Sequence, residues 1–328
     1  MAYQTEKAVA IDAARAAATL CERVRHTISP EAIEKKDKSP VTIADFGAQA
    51  IICRAIAEAF PNDPIVGEED AAELRTPEMS DRLSQVTSFV QEVVPEATTE
   101  NVPDWIDRGN GSVAERFWTL DPIDGTKGFL RKDQYAIALA LIDKGEVKVG
   151  VLVCPALTFE ESQEPGLLFV AVRGEGTTMM PLAGGDAQPT QVVSPDETDK
   201  FRFVESVESG HGDHSRQEAV AKAAGITTAS LRMDSQAKYA AVAAGQAALY
   251  LRLPSPKSPN YREKIWDHAA GSIVVEEAGG RVTDMHGNPL DFAKNAKLVD
   301  NQGVIVSNGP IHDQALEALK KTPASAVS

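Results

Sequence analysis

The sequence predicts an α/β protein in two parts, with a mostly antiparallel sheet in the first part and alternating helices and strands in the second. Helical patterns open the chain over residues 4–27 and 43–60, where apolar residues recur at steps of three and four. Paired strand patterns follow between residues 135 and 180 and are typical of antiparallel hairpins. Beyond residue 200, strand and helix patterns alternate.

The two N-terminal patterns predict amphipathic helices that pack on the core. The first is rich in alanine, which has the highest helix propensity. In the second, Thr42 precedes the apolar stripe as an N-cap, and Asp45 stands three positions later, where it would complete a capping box. Asp45 faces away from the stripe, so it serves either the cap alone or a site as well.

An acidic loop, residues 67–70, follows a short strand predicted at residues 65–66. Glu68 lies in this loop, and such a run is typical of a solvated charge cluster. Residues 71–112 are polar, with one predicted helix over residues 80–93, and carry no recognisable chemistry.

A sharp turn is predicted where the strand pattern of residues 116–120 ends. Pro122 fixes the backbone angle φ, and Gly125 permits a conformation that few other residues tolerate. Asp121 and Asp124 lie three positions apart across this turn, which can aim both carboxylates at one point. Pro, Asp and Gly are also the usual residues of a surface turn, so their presence alone does not distinguish a site from a turn.

The residues around this turn favour a metal site. The Ile123 carbonyl and the Thr126 hydroxyl lie beside the two carboxylates, and such hard oxygen ligands suit Mg²⁺. Apolar side chains on both sides would sink the turn into the edge of the core, where unpaired carboxylates are costly unless a cation neutralises them. These side chains are Phe117, Trp118, Leu120 and Phe129.

Two hairpins and a linker follow the turn. Strand patterns at residues 135–153 and 167–180 each predict one hairpin. Residues 182–199 are rich in glycine, proline and small polar residues, a composition typical of a linker. The linker predicts two domains, residues 1–190 and 191–328.

Two cationic residues of the second half occupy helix and strand positions. Asp234 and Ser235 can cap a helix that carries Lys238 in its first turn. Arg252 lies on a strand predicted over residues 247–253, on the face opposite its leucines. On general grounds, a helix lysine and a strand arginine are most often solvated.

A later helix is predicted to begin at Trp266 and to run to Glu277, because Gly279 and Gly280 supply a C-terminal stop signal. Asp267 stands at its N-terminus. Capping or compensation of the helix dipole explains an aspartate there as well as a ligand role does.

Composition narrows the class of protein. Among 328 residues, 48 acidic against 33 basic ones give a net charge of −15, which argues against nucleic-acid and membrane partners. Cys21, Cys53 and Cys154 have no metal-ligand spacing and are expected to be reduced core residues. No apolar run reaches the roughly 18 residues of a membrane span, and the N-terminus is charged where a signal peptide would be apolar. We therefore expect a cytoplasmic protein; its oligomeric state is left open, a monomer being compatible.

Three motifs, in this order, resemble those of the Mg²⁺-dependent, Li⁺-sensitive inositol monophosphatase superfamily. They are Gly67-Glu68-Glu69, Trp118-Thr119-Leu120-Asp121-Pro122-Ile123-Asp124-Gly125-Thr126, and Trp266-Asp267-His268-Ala269-Ala270-Gly271 with Glu277-Ala278-Gly279-Gly280. Further segments resemble its 3'(2'),5'-bisphosphate nucleotidase branch. These are Lys127-Gly128-Phe129-Leu130, Gly210-His211, Asp234-Ser235-Gln236-Ala237-Lys238-Tyr239 and Tyr250-Leu251-Arg252.

The resemblance implies a layered αβαβα sugar-phosphatase fold with the site between two domains. It also implies two or three Mg²⁺ ions, one held by Glu68, Asp121 and the Ile123 carbonyl. A second ion would be held by Asp121, Asp124 and Asp267.

The resemblance assigns catalytic roles to Thr126, which would position the attacking water, and to Asp45, which would accept the proton through it. The implied substrate contacts are Thr126, His211, Ser235, Lys238, Arg252 and Asp267.

The implied activity is removal of the 3'-phosphate of adenosine 3',5'-bisphosphate, with the sulfated analogue 3'-phosphoadenosine 5'-phosphosulfate as a further substrate and a role in sulfur assimilation. The alternatives are an inositol (poly)phosphate or other sugar phosphatase of the same superfamily, and a non-catalytic nucleotide-binding protein.

Overall fold

The computed structural model describes residues 2–27, 33–34, 40–159, 164–208 and 213–322, which form helices and β-sheets in layers. The helices are α1 (Gln4–Thr27), α2 (Ile43–Ala59), α3 (Ser80–Gln91), α4 (Asn101–Asp107), α5 (Thr126–Leu130), α6 (His214–Ala223), α7 (Ala237–Ala243), α8 (Ala269–Glu277) and α9 (His312–Lys321). The strands are β1 (Ile33–Glu34), β2 (Pro40–Val41), β3 (Ile65–Gly67), β4 (Arg116–Asp124), β5 (Ala136–Asp143), β6 (Glu146–Cys154), β7 (Leu167–Val172), β8 (Gly176–Pro181), β9 (Gln188–Thr190), β10 (Phe203–Glu205), β11 (Leu231–Arg232), β12 (Leu249–Arg252), β13 (Arg281–Thr283) and β14 (Val304–Ser307).

The strands form two main sheets of different size. The larger sheet has seven strands in the order β3-β4-β5-β6-β7-β8-β9, all antiparallel to their neighbours except the parallel pair β3 and β4. The smaller sheet has five strands in the order β11-β10-β12-β14-β13. In it, β10 runs parallel to both neighbours and β14 runs antiparallel to both. Strands β1 and β2 pair separately.

Helices cover both faces of each main sheet. Helices α1 and α2 pack together against the seven-stranded sheet, and α8 covers its other face. Helices α7 and α8 also contact the five-stranded sheet, so they form the middle layer. Helices α6 and α9 pack together on the remaining face of the five-stranded sheet. This arrangement confirms the αβαβα fold that the motifs imply.

Strand β5 explains why the larger sheet reads as a continuous apolar run. Ile137 and Leu139 belong to the core under α1 and α2, whereas Ala138 and Ala140 belong to the core under α8. Successive side chains of a strand point to opposite faces, and here both faces are covered by helices. The sheet therefore contributes to two hydrophobic cores at once.

The local predictions for the first helices are confirmed. Helix α1 spans residues 4–27 as predicted. The Thr42 hydroxyl accepts a hydrogen bond from the Ala44 N–H at 3.1 Å, and Asp45 completes the capping box. Cys21, Cys53 and Cys154 are buried and unpaired, as expected.

Three local predictions are wrong in their bounds. The strand predicted to end at Leu120 is β4, and it continues to Asp124. Pro122 has no N–H to donate, and a register shift after Asp121 accommodates it within the strand. The sharp turn is instead made at Gly125, whose φ of +89° favours glycine.

The other two concern the second half. Helix α8 begins at Ala269, not at Trp266. The expected linker over residues 182–199 contains β9, which extends the seven-stranded sheet at its edge. Every strand of the larger sheet precedes residue 191 and every strand of the smaller one follows it; the division into two domains stays a prediction. Among the described residues, no helix is both long and apolar enough to cross a membrane.

Candidate active site

A cleft of about 810 Å³ is lined by residues from both main sheets, from helices α2, α5 and α7, and from the loops beside them. The predicted metal-site residues all line it: Glu68, Asp121, Ile123, Asp124 and Asp267. The predicted substrate contacts Thr126, Ser235, Lys238 and Arg252 line it too. His211 lies outside the described residues, so the structure gives no account of it.

The end of strand β4 holds two of the carboxylates. Asp121 is buried, and its Oδ1 accepts a hydrogen bond from the Ile123 N–H at 3.1 Å. Asp124 Oδ2 accepts from the Gln236 N–H at 2.6 Å, just before α7. The irregular register of β4 between the two aspartates places both at the cleft, and Asp124 joins the two halves of the site.

The acidic loop after β3 is held by a buried glutamine of α2. The Glu68 N–H donates to the Leu120 carbonyl at 3.2 Å, which sets Glu68 beside the end of β4. Gln49 accepts from the Glu69 N–H at 3.0 Å and donates to the Glu69 carbonyl. A Cβ at Gly67 would lie 2.7 Å from the Gln49 oxygen, so glycine makes room for this contact. The loop is thus a positioned part of the site and not a freely solvated cluster.

Asp45 completes the cap of α2 and lies behind Thr126, within reach of its hydroxyl. Its Oδ2 accepts from the N–H and the hydroxyl of Thr42, at 2.7 and 2.5 Å. The Thr126 hydroxyl is 3.3 Å from Asp45 Oδ1 and 3.3 Å from the Ile123 carbonyl, either of which can accept its proton. Asp45 therefore caps α2 and also contacts a residue that lines the cleft, and its catalytic role stays a prediction.

Burial and the charges of neighbouring carboxylates oppose the ionisation of the aspartates in the cleft. Burial raises the pKa of Asp121 well above its ordinary value, and the charges of Glu68, Asp124 and Asp267 raise it further. The pKa of Asp267 is raised well above its ordinary value by burial and then by Asp124 and Glu68. Burial also raises the pKa of Asp124, although Lys238 opposes this shift. The charges that cause these three shifts show that Glu68, Asp121, Asp124 and Asp267 lie within electrostatic reach of one another.

Two cations, Lys238 and Arg252, also line the cleft. The Lys238 ammonium is buried, donates to the Ser235 carbonyl at 2.7 Å and lies 5.3 Å from the centre of the Tyr250 ring. Burial lowers the pKa of Lys238 to about 8; Asp124 opposes this and Arg252 adds to it. Both side chains line the cleft and are largely buried, contrary to the general expectation of solvated side chains.

Ser235 turns the backbone at the entrance to α7. Its φ of +62° is uncommon for a non-glycine residue, and its hydroxyl accepts from the Ala237 N–H at 3.1 Å. This contact resembles the predicted cap, although α7 begins only at Ala237.

The chain matches the inositol monophosphatase family over residues 2–324. It belongs to that family.

Curated relatives of this inositol monophosphatase family member share a more specific name. The chain is 45% identical to a 3'(2'),5'-bisphosphate nucleotidase of Schizosaccharomyces pombe, over 97% of this chain and 96% of that protein. A protein of the same name from Emericella nidulans is 41% identical, over 98% and 99% of the two chains. A third, from Dictyostelium discoideum, is 39% identical over 96% of each.

Solved structures of the family share the fold at lower identity. The extragenic suppressor protein suhB of Bartonella henselae superposes with a TM-score of 0.67 at 21% identity, over 98% of this chain and 100% of that one. An IMPase of Thermotoga maritima gives a TM-score of 0.65 at 24% identity, over 95% of each chain. At these identities, the likeness concerns the fold alone.

Inositol monophosphatases are metal-dependent, typically on Mg²⁺, and the donors of this family member fit such a hard cation. The side chains that converge at the end of β4 offer carboxylate oxygens, with a carbonyl and a hydroxyl oxygen beside them. Burial and neighbouring acids make the ionised forms of Asp121 and Asp267 unfavourable, and the charge of a divalent cation would offset this free-energy cost.

Four residues of the site region were not predicted from the sequence to be site residues. They are Gln49, Tyr239, Glu263 and His268. A polar residue within the apolar stripe of α2 was a signal for Gln49. Glu263 had no local signal, because its partners lie on β12 and before α8.

Three neighbouring residues in this region have the spacing of metal ligands but bind other side chains. Glu263, Asp267 and His268 each place a ligand atom within 4.8 Å of the others. Because Arg252 pairs with Glu263 and the Tyr239 hydroxyl bonds to His268, we assign no metal to this trio.

Proposed function

We propose that this protein is a 3'(2'),5'-bisphosphate nucleotidase that hydrolyses adenosine 3',5'-bisphosphate to adenosine 5'-monophosphate and phosphate. The curated relatives at 39–45% identity carry that name over nearly their full length. The observation that carries the proposal is that one cleft is lined by two groups of side chains of opposite charge. They are the acidic wall, Glu68, Asp121, Asp124 and Asp267, and the cationic wall, Lys238 and Arg252. A substrate with two phosphates would place the phosphate that is cleaved at the acidic wall and the other phosphate at the cationic wall.

The acidic wall would hold two or three Mg²⁺ ions. Glu68, Asp121 and the Ile123 carbonyl are assigned to one ion, and Asp121, Asp124 and Asp267 to a second. When bound, such ions neutralise the carboxylates, stabilise charge on the phosphoryl oxygens and lower the pKa of a water molecule.

The proton of the attacking water is assigned to a pair of residues. The Thr126 hydroxyl would hold the water, and Asp45 would accept the proton through this hydroxyl, which is 3.3 Å from its carboxylate. The two hydrogen bonds from Thr42 fix the Asp45 carboxylate and leave its Oδ1 facing Thr126. No covalent phosphoenzyme is required.

The cationic wall would bind the phosphate that is not cleaved. Arg252 offers a fork of N–H donors that suits a phosphate, and Lys238 adds a second positive charge. Ser235 would contact the substrate from the start of α7, and His211 is proposed to line the nucleoside. Thr126 and Asp267 would contact the phosphate that leaves.

A phosphate-release assay across a panel of substrates tests the proposal. Adenosine 3',5'-bisphosphate should be hydrolysed faster than inositol monophosphate and faster than nucleotides that lack a 2'- or 3'-phosphate. Hydrolysis should require Mg²⁺. The panel includes 3'-phosphoadenosine 5'-phosphosulfate and inositol polyphosphates, because both also carry a second anionic group. Faster turnover of inositol monophosphate would refute the proposal in favour of a sugar phosphatase.

Inhibition by Li⁺ is a further part of the proposal. A small monovalent ion can occupy a site of hard oxygen ligands without supplying the charge of Mg²⁺. Phosphate release should therefore fall as Li⁺ replaces Mg²⁺ in the millimolar range. Equal inhibition by the same concentration of choline chloride would show an effect of ionic strength instead.

A further inference from the structure

A buried carboxylate that contacts the cationic wall has no role in the proposed chemistry. Glu263 is 6% exposed, lines the cleft and stands on the segment between β12 and α8. Its Oε1 accepts from Arg252 Nε at 3.2 Å, and its Oε2 is 3.5 Å from His268 Nε2. A carboxylate at this depth is costly unless it is paired, so its partners explain how it is tolerated.

The partners keep Glu263 charged. Burial by itself would raise the pKa of Glu263, but Arg252 and then His268 outweigh burial and lower the pKa to about 2. The Glu263 carboxylate is therefore an anion at every pH at which the protein would work. A permanent anion here counteracts the repulsion between Arg252 and Lys238, which share one wall of the cleft.

The contact to Arg252 leaves most of its guanidinium available. Glu263 engages only the Nε–H, and in the described part of the chain the Nη1 and Nη2 groups have no hydrogen-bond partner given by the structure. An arginine held from the Nε side presents its terminal N–H groups in a fixed direction, which reduces the entropy lost when an anion binds. The anchored guanidinium lines the cleft beside Lys238.

Glu263 also connects this cation to the acidic wall. The Tyr239 hydroxyl lies 2.7 Å from His268 Nδ1, and a hydroxyl that donates there leaves Nε2–H to point to Glu263. His268 directly follows Asp267. One carboxylate therefore contacts both the anion-binding arginine and the segment that carries a proposed metal ligand.

We propose that Glu263 is a positioning residue that aims Arg252 at the phosphate that is not cleaved, and so determines preference for substrates with a second anionic group. The inference rests on the proposed nucleotidase function. It concerns binding of that second group, which is separate from cleavage of the first.

Binding of adenosine 5'-monophosphate tests this inference without turnover. Calorimetry with Mg²⁺ present compares this nucleotide with adenosine, which lacks the phosphate. Glu263→Ala should weaken binding of the nucleotide roughly tenfold or more, and should change binding of adenosine less than about twofold. Glu263→Gln, which keeps an oxygen acceptor for Arg252, should retain most of the nucleotide affinity.

A double-mutant cycle separates positioning from general damage. If Glu263 acts through Arg252, then Glu263→Ala should weaken nucleotide binding no further in an Arg252→Ala background. Glu277→Gln is the matched control, because Glu277 pairs with Arg173 at 3.4 Å at the far end of α8 and does not line the cleft. It should leave both affinities unchanged.

Several outcomes would overturn the inference. They are an unchanged or tighter nucleotide affinity in Glu263→Ala, an equal loss for nucleotide and adenosine, and additive effects in the cycle. If Glu263→Ala does not fold, Glu263→Asp, which withdraws the carboxylate from Arg252, replaces it under the same criteria. Failure of the wild-type protein to convert the bisphosphate into adenosine 5'-monophosphate would instead refute the proposed function, which the phosphate-release assay detects independently.

Discussion

Neighbouring carboxylates of this site differ in what stabilises them. Asp45 accepts hydrogen bonds from the Thr42 N–H and hydroxyl, which stabilise its charge. For Asp121, the described residues provide one hydrogen-bond donor, the Ile123 N–H, and burial with three other acids opposes its charge. Asp45 is therefore held as a charged hydrogen-bond acceptor beside Thr126, whereas Asp121 is suited to a cation. Environment, more than residue type, separates the two roles.

Replacement of Asp121 by asparagine should remove activity while stabilising the metal-free fold. The amide keeps an oxygen for the Ile123 N–H but has no charge to repel Glu68 and Asp124. We expect at least a roughly 100-fold loss of phosphate release, and a metal-free unfolding midpoint that is raised by a few degrees, or about 1 kcal/mol. Phosphate release and calorimetric unfolding measure the two effects.

Asp186→Asn provides the control for this pair of measurements, because Asp186 is exposed and does not line the cleft. It should change neither quantity. An active Asp121→Asn protein would contradict the metal assignment, and a strongly destabilised one would contradict the electrostatic account of Asp121.

Lys238 should make substrate affinity depend on pH in the alkaline range. Its pKa of about 8 means that the ammonium loses its proton as the pH rises past that value, while the phosphates of the substrate are already fully ionised. The KM for adenosine 3',5'-bisphosphate should therefore rise above about pH 8, approaching tenfold per pH unit. Lys238→Arg should flatten this rise because a guanidinium stays protonated.

Initial rates at fixed free Mg²⁺ across the alkaline range check this expectation. Arg252 remains charged throughout, since its pKa is raised above an already high value by Glu263 against the effect of burial. A wild-type KM that is constant from about pH 7 to pH 9.5 would show that Lys238 does not titrate in contact with substrate.

At the scale of elements, strong periodicity made α1, α2 and the hairpins predictable. Their apolar patterns are long and regular, so period and propensity agree. Helices α4 and α9 and strand β13 were not predicted. Helix α4 and β13 have only seven and three residues, and periodicity over so short a segment carries little information. Their place in the fold depends on tertiary packing.

Helix α2 positions the acidic loop through one buried amide. Gln49 donates to the Glu69 and Ile106 carbonyls and accepts from the Glu69 N–H. Gln49→Leu would remove one partner from each of these backbone groups, and we expect it to cost about 2–4 kcal/mol of stability. It should also raise the Mg²⁺ concentration needed for half-maximal activity, because Glu68 adjoins the loosened segment.

Gln217→Leu is a matched control for Gln49→Leu. Gln217 is a buried glutamine of α6 whose Nε2 has no hydrogen-bond partner within the described residues, so less is lost when its amide is removed. Chemical denaturation and Mg²⁺ titration of activity compare the two variants. Equal destabilisation by both would mean that the contacts of Gln49 to the loop contribute no specific stability.

At the scale of the whole molecule, the site exists only where distant segments meet. Asp124 bonds to the backbone before α7, and Arg131 of the segment after α5 pairs with Glu208 and Asp234 from the second half. The sequence predicted which acids and cations would carry chemistry, because most of them lie in a recognisable motif, and these roles stay a prediction. It could not indicate these pairings, since partners 77 to 112 positions apart share no local pattern.

The collected acids should make the stability of the metal-free protein fall as pH rises. Asp121, Asp124 and Asp267 have raised pKa values in the folded state, so the fold retains protons that the unfolded chain releases above about pH 4. Their contribution to stability is complete below that pH and is lost as pH rises through the raised values. Mg²⁺ bound at the ionised acids should restore the stability that is lost.

The difference between the unfolding midpoints with and without Mg²⁺ should therefore widen from about pH 5 to pH 8. At a hundred times its dissociation constant, a bound ion stabilises the fold by about 2.7 kcal/mol, which is large enough to resolve by calorimetry. Asp121→Asn should show a smaller difference with a weaker dependence on pH, because it removes one of the coupled acids. A wild-type difference that is independent of pH would mean that Mg²⁺ binds elsewhere, at carboxylates that ionise normally, and the acidic wall would lose its assigned role.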